Sequence, residues 1–171
     1  MFICASCLLA ADDAKATEAK TKSAPTASQA TYLADDFLDN LQGEFILDPL
    51  HLEKLGKFTV PTLSNGDWEL SAQPKPLVET FAARTKTDAS IYVKMGDHFV
   101  TVSTSLKGDN NGGAGAILDQ SSPAYQSLMK GKRYTGQAVL FNKTYMADFD
   151  LIRDAEGNVL GAYFIGIPID M

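Results

Sequence analysis

An α+β fold built on an antiparallel sheet follows from three observations. The last three alternating runs, residues 133–141, 144–153 and 158–167, are joined by connections too short for a crossover helix, so they pair antiparallel. Two further alternating runs flank Gly96-Asp97 and read as a hairpin. Helical periodicity falls ahead of and between these runs and does not alternate with every strand, which excludes a doubly wound α/β order.

Taken in order, the first element is a long amphipathic helix from Thr31, with Tyr32, Leu33, Phe37, Leu38, Leu41 and Phe45 at spacings of three and four until Asp48-Pro49. Its stripe must bury against the domain's own sheet or against the same helix of a second copy. Residues 50–63 are less regular and read as a short helical turn followed by an extended stretch at Phe58-Thr59-Val60-Pro61-Thr62. Asn65-Gly66-Asp67 then turns the chain into Trp68-Glu69-Leu70 as a small hairpin. A second helix starts near Pro76, carries Leu77, Val78, Phe81 and Ala82 on one face, and ends near Thr85. The runs 89–95 and 98–106 form the strong hairpin, and Asp109-Asn110-Asn111-Gly112-Gly113 is a polar loop. Ser121-Ser122-Pro123 caps a short helix that Gly131 ends. Asn142-Lys143 and Asp154-Ala155-Glu156-Gly157 are the turns between the closing strands. The expected architecture is a sheet of five to six strands with a long N-terminal helix and short helices on one face.

The chain has 171 residues, enough for one domain and a tail. Apolar residues make up 45% and charged residues 21%, a composition that folds. Twenty-one acids against 15 bases leave a formal charge of −6, which argues against bulk electrostatic binding of nucleic acid or an anionic membrane. No apolar run approaches the roughly 20 residues that cross a bilayer as a helix.

Residues 1–11 read as the remnant of an export signal, with a short apolar stretch closed by Ala10 and Ala11 but no basic residue ahead of it. Residues 12–29 then form a flexible tether, and residues 30–171 the domain. Both cysteines lie in the first segment. Cys4-Ala5-Ser6-Cys7 has redox spacing without a βαβ pattern around it, and Leu8 stands where a c-type haem site needs histidine. Cys7 is a poor lipid acceptor because Cys4, and not a branched apolar residue, precedes it by three. The expected compartment is periplasmic or extracellular.

Enzyme and metal signatures are missing from the pattern. His51 and His98 stand far apart with no cysteine or second histidine at ligand spacing, and no nucleophile elbow, Walker loop or dinucleotide fingerprint occurs. No metal, cofactor or catalytic residue is expected. The informative segment is the strand 98–106, whose alternate residues Phe99, Thr101, Ser103 and Ser105 make one face unusually polar. Those hydroxyls are either solvated or turned into a pocket for a small ligand. Gly136 inside a strand points to a bulge or to close approach by a ligand or another backbone, and Tyr145 is either a phenolic donor or a half-buried sheet residue.

Four ordered motifs carry a resemblance. Gly96-Asp97-His98-Phe99-Val100-Thr101-Val102-Ser103-Thr104-Ser105-Leu106-Lys107 comes first, then Ser122-Pro123-Ala124-Tyr125 and Lys132-Arg133-Tyr134-Thr135-Gly136. Tyr145-Met146 and then Ile152-Arg153-Asp154-Ala155-Glu156-Gly157-Asn158-Val159-Leu160-Gly161 complete the set. From about Trp68 to Asp170 the chain resembles the single Cache sensor domains, of the Cache-three/Cache-two fusion type, found in the extracytoplasmic part of bacterial methyl-accepting chemotaxis receptors. The resemblance implies a PAS-like fold, a pocket for a small molecule, often a short carboxylate, and a dimer through the N-terminal helix. Where relatives often carry a basic residue, this chain has Thr101. Where they tend to read Tyr-Met-Thr-x-Tyr-x-Pro, it has Tyr145-Met146-Ala147-Asp148-Phe149-Asp150-Leu151.

The expectation is therefore a non-enzymatic sensor domain whose pocket is bordered by Thr101, Ser103, Lys107, Tyr125, Tyr134 and Tyr145, with Lys107 and Arg133 as partners for an anionic ligand. Because the sequence stops at Met171, the domain is expected to lack its own membrane span and output module and to signal through a dimer or a membrane-bound receptor or kinase. The alternative is an interaction module whose pocket is filled by side chains and which binds a partner through the N-terminal helix and the sheet.

Overall fold

The computed structural model describes residues 23–70, 76–107 and 113–169. The expected export segment, most of the tether and residues 109–112 of the polar loop lie outside the described residues.

Helix α1 spans Ala27–Asp39 and is followed by the strands β1 (Phe45–Leu55), β2 (Phe58–Asn65) and β3 (Trp68–Glu69). Then come α2 (Pro76–Thr85), β4 (Asp88–Met95), β5 (His98–Thr104), α3 (Pro123–Met129), β6 (Tyr134–Leu140), β7 (Lys143–Arg153) and β8 (Val159–Pro168). The strands form a five-stranded antiparallel sheet in the order β5-β4-β8-β7-β6 and a three-stranded sheet in the order β1-β2-β3. This is the expected α+β, PAS-like architecture.

Two parts of the chain differ from expectation. Helix α1 starts earlier and stops at Asp39, with Asn40 as its C-cap, and Phe45 already belongs to β1. Its start is fixed by a capping box in which the Thr26 side chain accepts from Gln29 N while Gln29 Oε1 accepts from Thr26 N. Residues 50–63 hold no helical turn: they belong to the long β1–β2 hairpin. Its register slips between Asp48 and Leu52, where Pro49 has no amide proton to give to the ladder, and Leu50 stands exposed in the irregularity.

The five-stranded sheet is buried on both faces. On one, Ala34 and Phe37 of α1, Val78 and Phe81 of α2 and Val60 and Leu63 of β2 cover Ile91, Val93, Val100, Val102, Ile152, Tyr163 and Ile165. The stripe of α1 is thus satisfied by the chain's own sheet. On the other face, Leu118 and the α3 residues Ala124 and Leu128 cover Tyr92, Phe99, Tyr145, Ala147, Phe149 and Phe164. The helices therefore divide between the two faces, α2 beside α1 and α3 opposite. The outer edge of β5 is closed by residues 115–118, through Thr101 N to Ala116 O at 2.8 Å and Leu118 N to Phe99 O at 3.0 Å.

Close backbone approach fixes the centre of the sheet. Gly161 faces Val93 across the β4–β8 ladder, and a Cβ there would collide with the Tyr92 carbonyl oxygen.

Candidate functional site

The face away from α1 carries the candidate site. Its centre is filled by aromatic rings: Phe149 and Phe164 have centroids 4.9 Å apart, and Tyr145 and Phe164 meet edge to face at 5.6 Å. Toward β6 the side chains shrink. Gly136 lies opposite Ala147 in the β6–β7 ladder, and Ala138 shares their face. Between these strands and α3 a cavity of about 340 Å³ opens, lined by Leu118, Asp119, Ser122, Tyr134, Leu140 and Phe149 among others. The Tyr134 and Phe149 rings stand 6.2 Å apart at 57°.

The rim is ordered by α3. Ser122 caps the helix, its hydroxyl accepting from Tyr125 N at 3.1 Å and donating to Asp119 O at 2.6 Å. The Asp119 carboxylate accepts from Ser121 N at 2.9 Å and from the Ser121 hydroxyl at 2.8 Å. These bonds, the backbone one first, hold its pKa below the usual carboxylate value.

Of the seven residues expected at the site, Tyr134 is the one that lines this cavity among the described residues. Its ring lies over Gly136, and its hydroxyl donates to Gln137 O at 2.8 Å. Gly136 sits in a regular ladder without a bulge, and what comes close to it is this neighbouring ring, neither a ligand nor another backbone. Thr101, Tyr125 and Tyr145 border the same apolar layer without entering the cavity. Thr101 is buried opposite Tyr92, while the Tyr125 hydroxyl donates to Asp97 O at 2.7 Å. Tyr145 is fully buried and donates to Asp88 Oδ2 at 2.9 Å; burial, then this bond, raises its pKa.

The polar face expected along β5 is interrupted. A register shift lets Thr101 oppose Tyr92 but Ser103 oppose Ile91, so Val102 is the extra residue and Ser103 turns toward the α1 side. Thr104 takes its place, with its hydroxyl 2.6 Å from that of Ser90 and accepting from Leu106 N at 3.0 Å. Lys107 is exposed.

Arg133 faces α1. Its Nε donates to Asp148 Oδ1 at 2.8 Å and its Nη2 to Asp35 Oδ1 at 3.0 Å. Asp148 is fully buried and also accepts from the hydroxyls of Thr31 at 3.1 Å and Thr135 at 2.7 Å. One carboxylate thereby joins α1, β6 and β7. Burial alone would lower the Arg133 pKa, and the bonds to Asp148 and Asp35 reverse the sign and raise it. Close by in the same layer, the Tyr163 hydroxyl is buried with no hydrogen-bond partner among the described residues.

Other hollows carry less chemistry. A groove of about 690 Å³ between the start of α1 and the end of β8 is lined by Gln29, Tyr32, Lys86, Ile167 and Pro168, and it adjoins Ser23, where the described residues begin. No group of three or more acids, histidines or cysteines could hold a metal among the described residues, and no helix there is long and apolar enough to cross a membrane.

Comparison with known families decides what this arrangement belongs to. The model of the Cache 3/Cache 2 fusion domain matches residues 10–171. The chain is a member of that family. No curated protein and no solved structure matches it. Cache domains are sensor domains of the extracellular or periplasmic space that bind small molecules. The match also extends well ahead of Trp68, where the resemblance in the motifs begins, and so takes in α1 and the β1–β3 sheet.

Proposed function

We propose that this Cache domain is an extracytoplasmic, non-enzymatic sensor that binds a small molecule in the cavity between α3 and the strands β6 and β7. The observation that carries the reading is the hollow of about 340 Å³, large enough for a small organic ligand, walled by Tyr134 and Phe149 on a buried sheet face. Occupancy would press on α3 and β6, and Arg133 and Asp148 link β6 to α1, so a route to the N-terminal helix exists. In this reading the recipient is a second copy paired through the outward face of α1, where Tyr32 is exposed, or a membrane-bound receptor or kinase.

A thermal-shift screen against small carboxylates, amines and amino acids tests it. A hit is expected to raise the midpoint of the wild-type chain and to lose that effect in Ala138→Phe, which fills the hollow. Failure of every compound, or an undiminished shift in Ala138→Phe, would overturn the cavity as the binding site.

One observation favours the interaction module as a second reading. Phe99, Tyr145, Phe149 and Phe164 fill the centre of the same face, and the hollow lies at its outer end. A blank screen together with capture of a defined receptor by the intact chain would select it.

A further inference from the structure

The cavity carries one formal charge among its described lining residues, and that charge is negative. Asp119 stands exposed at the rim, fixed in place by Ser121. Neither of the cations expected to meet an anionic ligand is there: Arg133 is held on the opposite face by Asp148 and Asp35, and Lys107 is not among the lining residues. An anion entering this hollow would face the Asp119 carboxylate with no compensating cation, an arrangement that disfavours it.

A cation meets the opposite conditions. Asp119 offers a carboxylate at the mouth, and the half-buried Tyr134 ring lines the same hollow. Leu118 and Leu140 line the same hollow and suit an apolar body. We propose that the ligand of this cavity is a small organic ammonium compound with an apolar body, its charge at Asp119 and its body against Tyr134 and Leu140. The proposal rests on the reading of the cavity as the binding site.

Calorimetric titration of the full chain with three probes of similar shape tests it: phenethylamine, 2-phenylethanol and 3-phenylpropionate. The amine is expected to bind at least about five-fold more tightly than the alcohol, and the acid to give no binding heat. Asp119→Asn keeps an oxygen for Ser121, and because the site is exposed it should weaken the amine only about three- to ten-fold, with the alcohol unchanged. Added salt should weaken the amine and spare the alcohol. Tighter binding of the acid, or an amine affinity indifferent to Asp119→Asn in a variant with wild-type circular dichroism, overturns the ammonium ligand and leaves the cavity reading standing. Silence from all three probes also overturns it, whereas the cavity reading is judged separately, by the wider compound screen and by Ala138→Phe.

Discussion

The guanidinium of Arg133 donates from Nε to Oδ1 of Asp148 at 2.8 Å, and Asp148 has no exposed surface. Removing that carboxylate leaves the guanidinium with Asp35 alone and takes the buried acceptor from the Thr31 and Thr135 hydroxyls. Asp148→Ala is expected to cost about 3–5 kcal/mol, and Asp148→Asn less, because an amide still accepts from Thr31 or Thr135. Urea denaturation measures both. A loss below about 1 kcal/mol for Asp148→Ala would show that the clamp contributes little.

Tyr163 offers the reverse case. Its buried hydroxyl has no partner among the described residues, so removing it removes an unmet donor. Tyr163→Phe is expected to be neutral or to stabilise by up to about 1 kcal/mol, read by the same denaturation. A clear destabilisation would mean that the hydroxyl is satisfied in solution by ordered water.

Alkaline titration reports on three phenols. Burial is the first cause of the raised pKa of Tyr92, Tyr145 and Tyr163. A folded-state pKa above the unfolded one, about 10, gives stability that is complete below that pH and lost as the pH rises through the folded value. Their phenolate absorbance is expected to appear together with loss of circular dichroism. Ionisation of all six tyrosines of the chain while the fold persists would contradict it.

A second titration concerns the exposed irregularity within β1. The bond to Asp48 raises the His51 pKa, and the bonds from His51 and from Leu50 N lower that of Asp48. The ion pair therefore exists above the lowered Asp48 value and below the raised His51 value, and is lost outside that window on either side. Nuclear magnetic resonance titration should give His51 a pKa above the usual 6.5 or so, and Asp48→Asn should bring it down.

Two glycines are expected to differ sharply. At Gly161 an added methyl meets the Tyr92 carbonyl in the central ladder, so Gly161→Ala should cost more than about 3 kcal/mol or prevent folding. At Gly136 the nearest atom is the Tyr134 hydroxyl at 2.9 Å, the far end of a side chain. Gly136→Ala should displace that ring, forfeit its bond to Gln137 O at about 1 kcal/mol, and weaken any ligand of the cavity. Equal costs at the two positions, by denaturation, would argue against this distinction.

The hairpin at Gly96-Asp97 was legible because the turn residues announce it, and the β6–β7 hairpin was legible to within one residue: it turns at Phe141-Asn142, both at positive φ, and Lys143 already belongs to β7. The β1–β2 hairpin was not, since Pro49 and Pro61 argue against strands and its apolar residues follow no clean alternation. Both ends of α1 differ from the expectation: Leu41 and Phe45 happen to continue the helical spacing past its end, and its true start carries the Thr26–Gln29 capping pattern, ahead of the apolar stripe from which the helix is read. Of the cavity, the sequence reveals Tyr134 but not its neighbours. The readable trace of the hollow is the run of small residues, Gly136, Ala138 and Ala147, on facing strands. The role of Arg133 depends on Asp148 and Asp35, partners brought together only by the fold.

The bond from Thr31 to Asp148 spans 117 positions. Within the domain, helix α1 is synthesised well before its carboxylate anchor and before β7 and β8, the strands that complete its cover. Phe81 of α2 meets Phe37 at 5.0 Å, but Tyr163 and the Asp148 anchor come only with β7 and β8, so full docking of α1 is a late step of high contact order within the domain.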